Sequence, residues 1–291
     1  MNESWSITVP AKLNWGLTVL GRRADGFHEL RGWFLALDLA DRLELHPVAE
    51  GEAGLEVEGD DGIPTDASNL VLKAEAAWRA AGGEAPPLRW RLVKGVPAAA
   101  GLGGGSADAA AALRLLEAAS LCPADASWVD LAASLGSDVP FFLDHAPALR
   151  GGRGEELLVQ ALEATERRLL LVAPPFEVAT PPVFAALDAA PVTPEDALAY
   201  PVALEFPETP PPNDLLAGVL ASHAAFAAFW ERLQALAPFH LSGSGGACYL
   251  PLEGPAAPDL LAELDGFCAL VRETTTRTGP VLGDVQALET S

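Results

Sequence analysis

The chain has 291 residues, half of them hydrophobic, and its 40 acidic and 18 basic side chains give a net charge of −22. A chain of this length forms one large domain or two of ordinary size, and its apolar fraction is enough for a hydrophobic core. Nucleic acid and anionic membranes are excluded as expected partners, because binding them requires basic side chains that neutralise phosphates.

Neither a membrane span nor a secretion signal is indicated. The sequence contains no run of about 18 uncharged apolar residues, and its start lacks a basic segment followed by a long apolar core. The three cysteines, Cys122, Cys248 and Cys268, are widely spaced and form no Cys-x-x-Cys pair, so neither a disulfide framework nor a zinc site is predicted. We therefore expect a cytoplasmic protein with reduced thiols.

In the first half of the chain, short apolar or alternating runs predict strands at 7–9, 13–20, 34–45 and 88–93, with a polar turn at 22–28. The acidic, glycine-dotted stretch at 48–66 is typical of a solvated hairpin and loop. A helix is predicted over 70–81, with Ser68 or Asn69 as its cap and Gly82 and Gly83 as its stop.

In the second half, helices are predicted at 127–135, 215–236 and 258–264, and strands at 169–172, 239–241, 247–250 and 267–272. The prolines of 180–212 predict irregular connections and short helices. A glycine-rich stretch at 150–154 predicts a boundary between two lobes, which divides the chain into 1–155 and 156–291.

A glycine-rich loop followed at once by an alanine-rich helix is the most informative local pattern. Four of the residues 101–105 are glycines, and the helix is predicted to run from there to about Ser120. The free N–H groups and the dipole of a helix start favour an anion, glycines let the backbone approach a phosphate, and Ser106 could contact the phosphate or a metal. No lysine follows the glycines, so this is not a Walker loop, and Ser106 breaks the dinucleotide fingerprint. From this pattern alone, a structural glycine turn is an equally good interpretation.

Three motifs resemble those of the GHMP kinases, and they occur in the same order. They are PAKLN at 10–14, PAAAGLGGGSA at 97–107 and LSGSG at 241–245. Two longer segments, GRRADGFHEL at 21–30 and GSDVPFF at 136–142, resemble the branch of that superfamily that phosphorylates a cytidine diphosphate-linked polyol in the non-mevalonate isoprenoid pathway. Phe27 stands where tyrosine is usual in that branch, and Ala107 where a second serine is common.

The resemblance implies an α+β, two-lobed GHMP kinase fold. Its N-terminal lobe would be similar to the ribosomal S5 domain 2-like fold and bind the nucleotide, and its C-terminal lobe would be ferredoxin-like and complete the substrate cleft. The implied reaction is ATP-dependent phosphorylation of the 2-hydroxyl of the polyol, with ATP and Mg²⁺ as cofactors. Mg²⁺ would be held mainly by phosphate oxygens rather than by protein side chains. We expect a monomer or a weak homodimer.

The resemblance gives catalytic roles to Asp138 and Lys12. Asp138 lies in an apolar context, where a carboxylate is unusual without a partner, although a turn cap before Pro140 is an equally good interpretation of the residues alone. Lys12 would pair with Asp138 and stabilise charge on the transferred phosphate, whereas an isolated lysine is usually exposed. The expected turnover therefore depends on a base and its cationic partner.

The other site residues implied by the resemblance form two sets. The aromatic face of Phe27 can stack on cytosine and His28 can hydrogen-bond its polar edge, but core packing is an alternative for Phe184 and a tight hairpin for 242–246. The cofactor-binding set is Lys94, Pro97, Ala98, Ala99, Ala100, Gly101, Leu102, Gly103, Gly104, Gly105, Ser106 and Ala107. The substrate-binding set is Asn14, Phe27, His28, Thr180, Phe184, Ser242, Gly243, Ser244 and Gly245.

Two other functions stay open at this point. One is another small-molecule GHMP kinase, of the homoserine or mevalonate type, which the segment at 21–30 disfavours. The other is a catalytically inactive GHMP-fold protein that binds a ligand or partner, which the presence of Lys12, Asp138 and the glycine loop disfavours.

Overall fold

The computed structural model of the chain describes residues 3–60, 62–98, 100–120, 127–161, 165–187 and 205–288. Its strands are β1 (Ser4–Arg22), β2 (His28–Pro47), β3 (Gly54–Glu58), β4 (Leu88–Val93), β5 (His145–Ala146), β6 (Ala148–Gly151), β7 (Glu156–Gln160), β8 (Arg168–Ala173), β9 (His240–Leu241), β10 (Cys248–Leu252), β11 (Leu270–Arg277), β12 (Gly279–Pro280) and β13 (Gln286–Leu288). Its helices are α1 (Leu70–Ala80), α2 (Gly104–Ala119), α3 (Trp128–Leu135), α4 (Thr180–Ala185), α5 (Leu215–Ser222), α6 (Ala224–Leu236) and α7 (Pro258–Asp265), and a 3₁₀ helix spans Val139–Leu143.

Within the described ranges, an eleven-stranded sheet runs through the molecule in the order β13-β1-β2-β11-β8-β10-β9. β2 is its central strand, because it also pairs with β4 and β6, which carry β3 and β7 as outer neighbours. β3 runs parallel to β4, whereas β2 is antiparallel to each of its partners. The sheet therefore continues across the predicted division between 155 and 156, and that division stays a prediction.

β1 and β2 form a long antiparallel ladder because an apolar pattern continues through both strands. The strands predicted at 7–9 and 13–20 are one strand, and the register of the ladder shifts between Pro10 and Lys12. Two extra residues lie on β2 here, because 10–12 of β1 is opposite 36–40 of β2, and such an irregularity interrupts the regular pairing of the two strands. Lys12 thus lies directly after the first of three register shifts between β1 and β2.

Helices α1–α3 pack on one face of the N-terminal part of the sheet. α1 begins as predicted, where Asn69 Oδ1 accepts the N–H of Val71 at 2.9 Å, and it ends before a glycine pair. A β-carbon at Gly83 would lie 2.3 Å from the Trp78 ring, so only glycine fits there. α2 is alanine-rich, and ten of its 16 residues are buried, because small side chains let its axis approach the sheet.

Two of the elements predicted for the C-terminal half have different bounds in the structure, and β7 was not predicted. The helix predicted at 215–236 is two helices, α5 and α6, because His223 between them has φ −131° and ψ 88°. Its Nε2 accepts the N–H of Ala179 at 3.2 Å, a contact between distant segments that the sequence pattern does not show. The strand predicted at 267–272 begins later and extends to Arg277 as β11, and two more strands follow it.

The architecture confirms the prediction of a mixed helix-and-sheet fold. One hydrophobic cluster lies beneath α1–α3, a second joins β1 and β2 to β8 and β10, and a third surrounds α5–α7.

Cys248 and Cys268 carry free thiols, whereas Cys122 lies outside the described residues. In the part of the chain that the structure covers, no helix is both long and apolar enough to cross a membrane.

Candidate active site

Two concavities meet on one side of the sheet. The larger, which we call the large cleft, has a volume of about 910 Å³ and lies between β1, the 21–30 segment and α4. The smaller, the glycine pocket, has a volume of about 390 Å³ and lies against the start of α2. Ser106 lines both of them, so the two spaces adjoin at the first turn of α2.

Lys12, Asn14 and Asp138 form a connected group in the large cleft. Lys12 Nζ lies 3.1 Å from Asp138 Oδ2 and donates a hydrogen bond of 2.8 Å to Asn14 Oδ1. The Lys12 side chain is 7% exposed and that of Asp138 is 32% exposed. The ammonium group is thus fixed by two oxygen acceptors, and the carboxylate keeps an accessible edge toward the cleft.

Backbone contacts fix this group from both sides. The Lys12 N–H donates to the Leu102 carbonyl at 2.8 Å, which joins β1 to the glycine loop. A β-carbon at Gly103, where φ is +72°, would lie 2.7 Å from Lys12 Cγ, so glycine is required for this approach. Asp138 directly precedes the 3₁₀ helix, whose Phe141 and Phe142 are fully buried in the core.

The glycine loop presents the start of α2 to the glycine pocket. The N–H of Ala107 donates to the Gly103 carbonyl, so the preceding N–H groups of α2 have no acceptor within the helix. Gly101 and Gly103 have positive φ angles of 77° and 72°, which glycine adopts without steric cost. The loop therefore combines free amide donors with the positive end of a helix dipole, the arrangement that binds phosphate.

A buried charged cluster lies behind the glycine loop, and the sequence did not reveal it. Lys94 Nζ contacts Asp41 and lies 3.1 Å from Asp108 Oδ2, and all three side chains are nearly inaccessible. Asp41 Oδ1 also accepts the N–H groups of Gly95 and Val96 at 2.7 and 2.8 Å, which fixes the backbone just before the loop. The predicted contact of Lys94 with the nucleotide stays a prediction, although Lys94 does line the glycine pocket.

Burial shifts the pKa values in this cluster. It raises the pKa of Asp108 to about 7, although the Lys94 charge opposes that shift, and the Asp41 carboxylate adds to it. Burial alone would lower the pKa of Lys94, but the carboxylates of Asp108 and Asp41 outweigh it and raise that pKa. Lys94 therefore stays protonated beneath the loop.

Aromatic rings and arginines line the far end of the large cleft. Phe27 is 52% exposed, and the Arg153 guanidinium lies 4.9 Å above its ring. The His28 and Phe184 rings are 5.0 Å apart. Burial, and to a smaller degree the charge of Arg22, lowers the pKa of His28, so the imidazole is neutral at physiological pH.

A hydrogen-bonded loop closes the cleft on its third side. Thr180 and Ser244 exchange a hydrogen bond of 2.8 Å between their hydroxyls. The Asn213 amide donates to the carbonyls of Leu241 and Gly243 at 3.0 and 2.9 Å. Ser242 is fully buried, and its Oγ accepts the N–H of Asn14 at 3.1 Å. These contacts attach the 242–246 turn to α4 and to β1.

The structure brings most of the predicted site residues together. Those lining the large cleft are Lys12, Asn14, Phe27, His28, Ser106, Asp138, Thr180, Phe184, Gly243 and Ser244. Those lining the glycine pocket are Lys94, Pro97, Ala98, Gly101, Leu102, Gly103, Gly104, Gly105 and Ser106. The walls named for these two spaces include none of Ala100, Ala107, Ser242 and Gly245, and Ala99 lies outside the described residues. Sequence reasoning missed Arg22 and Arg153 in the large cleft.

The sequence and the fold resemble those of one group of known proteins. A family profile described as GHMP kinases N terminal domain matches residues 69–152, which contain the glycine loop and Asp138. A 4-diphosphocytidyl-2-C-methyl-D-erythritol kinase of Pelotomaculum thermopropionicum is 48% identical over 177 residues, 60% of this chain and 61% of the relative. The kinase of that name from Solidesulfovibrio magneticus is 37% identical over 264 residues, 85% of this chain and 88% of the relative.

A solved structure extends the likeness to almost the whole fold. The crystal structure of a 4-(cytidine 5'-diphospho)-2C-methyl-D-erythritol kinase has a TM-score of 0.71 and 34% sequence identity, and the match covers 96% of this chain and 99% of that chain. In three relatives, that of Pelotomaculum included, the match spans only 52 to 61% of the relative's length. The structural match confirms the predicted GHMP kinase fold.

Proposed function

Since the chain belongs to the 4-diphosphocytidyl-2-C-methyl-D-erythritol kinases, a family of GHMP kinases, we propose that it transfers the γ-phosphate of ATP to the 2-hydroxyl of 4-diphosphocytidyl-2-C-methyl-D-erythritol. This reaction belongs to the non-mevalonate route to isoprenoid precursors. ATP would occupy the glycine pocket, and the cytidine substrate would occupy the large cleft.

One observation carries this proposal: the Lys12–Asp138 pair, 3.1 Å apart, lines the cleft that adjoins the glycine pocket at Ser106. Phosphoryl transfer needs its two substrates held in line, charge stabilisation and an acceptor for the hydroxyl proton. A carboxylate beside a phosphate-binding loop supplies the acceptor. A lysine held by that carboxylate supplies the positive charge.

In the proposed step Asp138 accepts the proton of the 2-hydroxyl as that oxygen bonds to the γ-phosphorus. The bond from the γ-phosphorus to the bridging oxygen of ATP breaks, and ADP leaves. Lys12 orients the Asp138 carboxylate and stabilises negative charge on the transferred group. The backbone N–H groups at the start of α2 hold the phosphates during the exchange.

Magnesium fits this site as a companion of ATP. In the described parts of the chain, no group of three or more His, Cys, Asp or Glu side chains is placed to hold a metal ion. The residue available at the meeting point of the two spaces is Ser106, whose hydroxyl and the ATP phosphates would hold Mg²⁺. The ion would neutralise phosphate charge.

The cytidine end of the substrate would lie between Phe27 and Phe184. The exposed Phe27 ring offers a stacking surface, and neutral His28 can hydrogen-bond the polar edge of cytosine. A cytoplasmic location and a monomer or weak homodimer stay predictions.

A coupled assay of ADP release tests the proposal. The purified protein should release ADP in the presence of ATP, Mg²⁺ and the cytidine substrate, and mass spectrometry should find the 2-phosphate product. Homoserine and mevalonate are the competing substrates. Turnover with either of these but not with the cytidine substrate would assign a different GHMP kinase activity, and no turnover at all would favour an inactive binding protein.

A further inference from the structure

The large cleft concentrates positive charge within a strongly acidic chain. Among its described lining residues are three permanent cations, Lys12, Arg22 and Arg153, and one carboxylate, Asp138. Lys12 is paired with Asp138 at 3.1 Å, and Arg153 is paired through its Nε with Glu155 at 3.2 Å, which leaves Arg22 as the cation of the cleft wall without an ion pair to a described residue. A chain with a net charge of −22 would otherwise repel an anionic substrate.

Arg153 is held in place by Glu155, and part of its guanidinium keeps free hydrogen-bond donors. Its Nε donates to Glu155 Oε1 at 3.2 Å, and its backbone N–H donates to Glu155 Oε2 at 2.6 Å. Its two terminal NH₂ groups make no hydrogen bond to any residue the structure describes. The guanidinium carbon lies 4.9 Å from the centroid of the Phe27 ring. An arginine held in this way loses little conformational entropy when it binds an anion.

Arg153 lies between the two ends of the proposed substrate site. On one side its guanidinium contacts Phe27, the stacking surface for the base. On the other side its neighbour Gly154 approaches the reacting end, since a β-carbon there would lie 3.5 Å from Asp138 Oδ1. The Gly152 N–H donates to Glu29 Oε1 at 3.0 Å, which attaches this turn to the 21–30 segment.

Arg22 and its neighbour Arg23 have different electrostatic surroundings. Arg23 is neutralised, since it lies 3.1 Å from Asp25 and 2.6 Å from Glu29. Arg22 is exposed, lines the cleft and has no ion pair with a described residue. Its charge reaches the base end, because it contributes, after burial, to lowering the pKa of His28.

We propose that Arg22 and Arg153 bind the diphosphate linkage of the substrate, between its cytidine and polyol ends. Along the cleft, Arg153 lies between the Phe27 ring and the Lys12–Asp138 pair, and Arg22 lies beside His28. This arrangement matches the order base, diphosphate, reacting hydroxyl in a nucleoside-diphosphate ester. This inference rests on the proposed function and deepens it: the two arginines make the site specific for a diphosphate-linked substrate over an uncharged alcohol.

Binding of CDP and of cytidine, measured by calorimetry with ADP present to occupy the glycine pocket, tests the arginines apart from turnover. Wild type should bind CDP more tightly than cytidine. Arg22→Gln and Arg153→Gln should each lower that preference by about tenfold or more, the effect of losing a charge-assisted hydrogen bond. Arg153→Lys keeps the charge and should retain most of the preference.

Arg114→Gln is the matched control, because it removes the same charge from an exposed site on α2. It should leave the preference within about twofold, since a distant exposed charge is screened by salt. An equal loss in this control would show an effect of net charge alone and overturn the proposal. An equal fall in CDP and cytidine affinity in Arg153→Gln would mean that Arg153 only positions the Phe27 ring. That result would also overturn the proposal.

Measuring turnover of the cytidine substrate beside the CDP preference shows whether the arginine proposal or the proposed function has failed. If wild type phosphorylates the cytidine substrate while Arg22→Gln and Arg153→Gln keep the full preference for CDP, the arginine proposal alone fails. If the preference falls as expected but wild type phosphorylates no cytidine substrate, the proposed function fails and the diphosphate site stands. Arg22 is exposed, so its variant folds even where Arg153→Gln does not.

Discussion

Gly101 and Gly245 lie in direct backbone contact, although they belong to loops 144 residues apart in the numbering of the chain. A β-carbon on Gly101 would lie 2.7 Å from the Gly245 Cα, and one on Gly245 would lie 2.5 Å from the Gly101 Cα. Next to this contact the Ala247 N–H donates to the Ala100 carbonyl at 3.0 Å. The glycine loop and the turn that contacts Asn14 therefore form one packed unit.

We expect Gly101→Ala to disrupt this unit. The new methyl group would collide with backbone, which cannot move aside cheaply, and the φ of +77° adds about 1–2 kcal/mol of strain. The free energy of unfolding in urea should fall by at least that amount. Gly105→Ala is the control, because its β-carbon meets only Leu70 Cδ1 at 3.4 Å and alanine favours a helix by up to about 1 kcal/mol. Equal stability of the two variants would contradict the contact.

Asp138→Asn should lower turnover by about 10²- to 10⁴-fold, the usual contribution of a general base. The amide has the size of the carboxylate but cannot accept the hydroxyl proton, so the fold and the KM for ATP should change little. Lys12→Met should also lower turnover strongly, since it removes the partner 3.1 Å away. Asp284→Asn, an exposed position outside both spaces, is the control. Near-normal turnover of Asp138→Asn with a normal melting temperature would remove Asp138 from the mechanism.

Elements with a complete local signal could be predicted from the sequence. Leu88, Trp90 and Leu92 alternate on β4 and are buried, and α1 begins at its predicted cap. Elements that depend on distant contacts could not be predicted. β3 has a half-exposed, acidic pattern and becomes a strand by pairing with β4, and the break between α5 and α6 depends on a hydrogen bond from Ala179.

In the candidate site, too, the residues that depend on contacts between distant segments could not be predicted from the sequence. Residues in continuous motifs, such as the glycine loop and the segment before Phe141, were assigned to the candidate site because those motifs resemble the GHMP kinases. Asp41 could not, because its contact with Lys94 joins residues 53 apart in sequence. Arg153 lies in a glycine-rich stretch that suggested only a lobe boundary, and its role depends on Phe27, a residue of another segment.

Asp108 should give the folded protein a measurable pH dependence. Burial raises its pKa to about 7, so the folded chain binds this proton more readily than the unfolded chain does. The contribution of Asp108 to stability should therefore be most favourable in acid and should fall as the pH rises from about 4 through about 7. Asn at this position cannot titrate, so the difference in unfolding free energy between wild type and Asp108→Asn should decrease from pH 5 to about pH 7 and level off by pH 8.

Urea denaturation at four pH values in that window measures this difference, with the exposed Asp284→Asn variant as the control. A difference that is constant with pH would mean that Asp108 has the same proton affinity in the folded and unfolded chains. A difference that rises with pH would mean that the Lys94 ion pair outweighs burial and keeps the carboxylate charged.

Phe27→Ala should weaken binding of the cytidine substrate far more than binding of ATP. The Phe27 side chain is 52% exposed in the large cleft, so removing it costs the fold little but removes a stacking surface. Stacking of a base on an aromatic ring contributes about 1–3 kcal/mol, which predicts a rise in the KM for the cytidine substrate of roughly 5- to 150-fold. Phe27→Tyr keeps the ring and should behave as wild type. Val129→Ala shortens a comparably exposed apolar side chain on α3, and it should change neither KM. A substrate KM unchanged in Phe27→Ala would mean that cytosine lies elsewhere in the cleft.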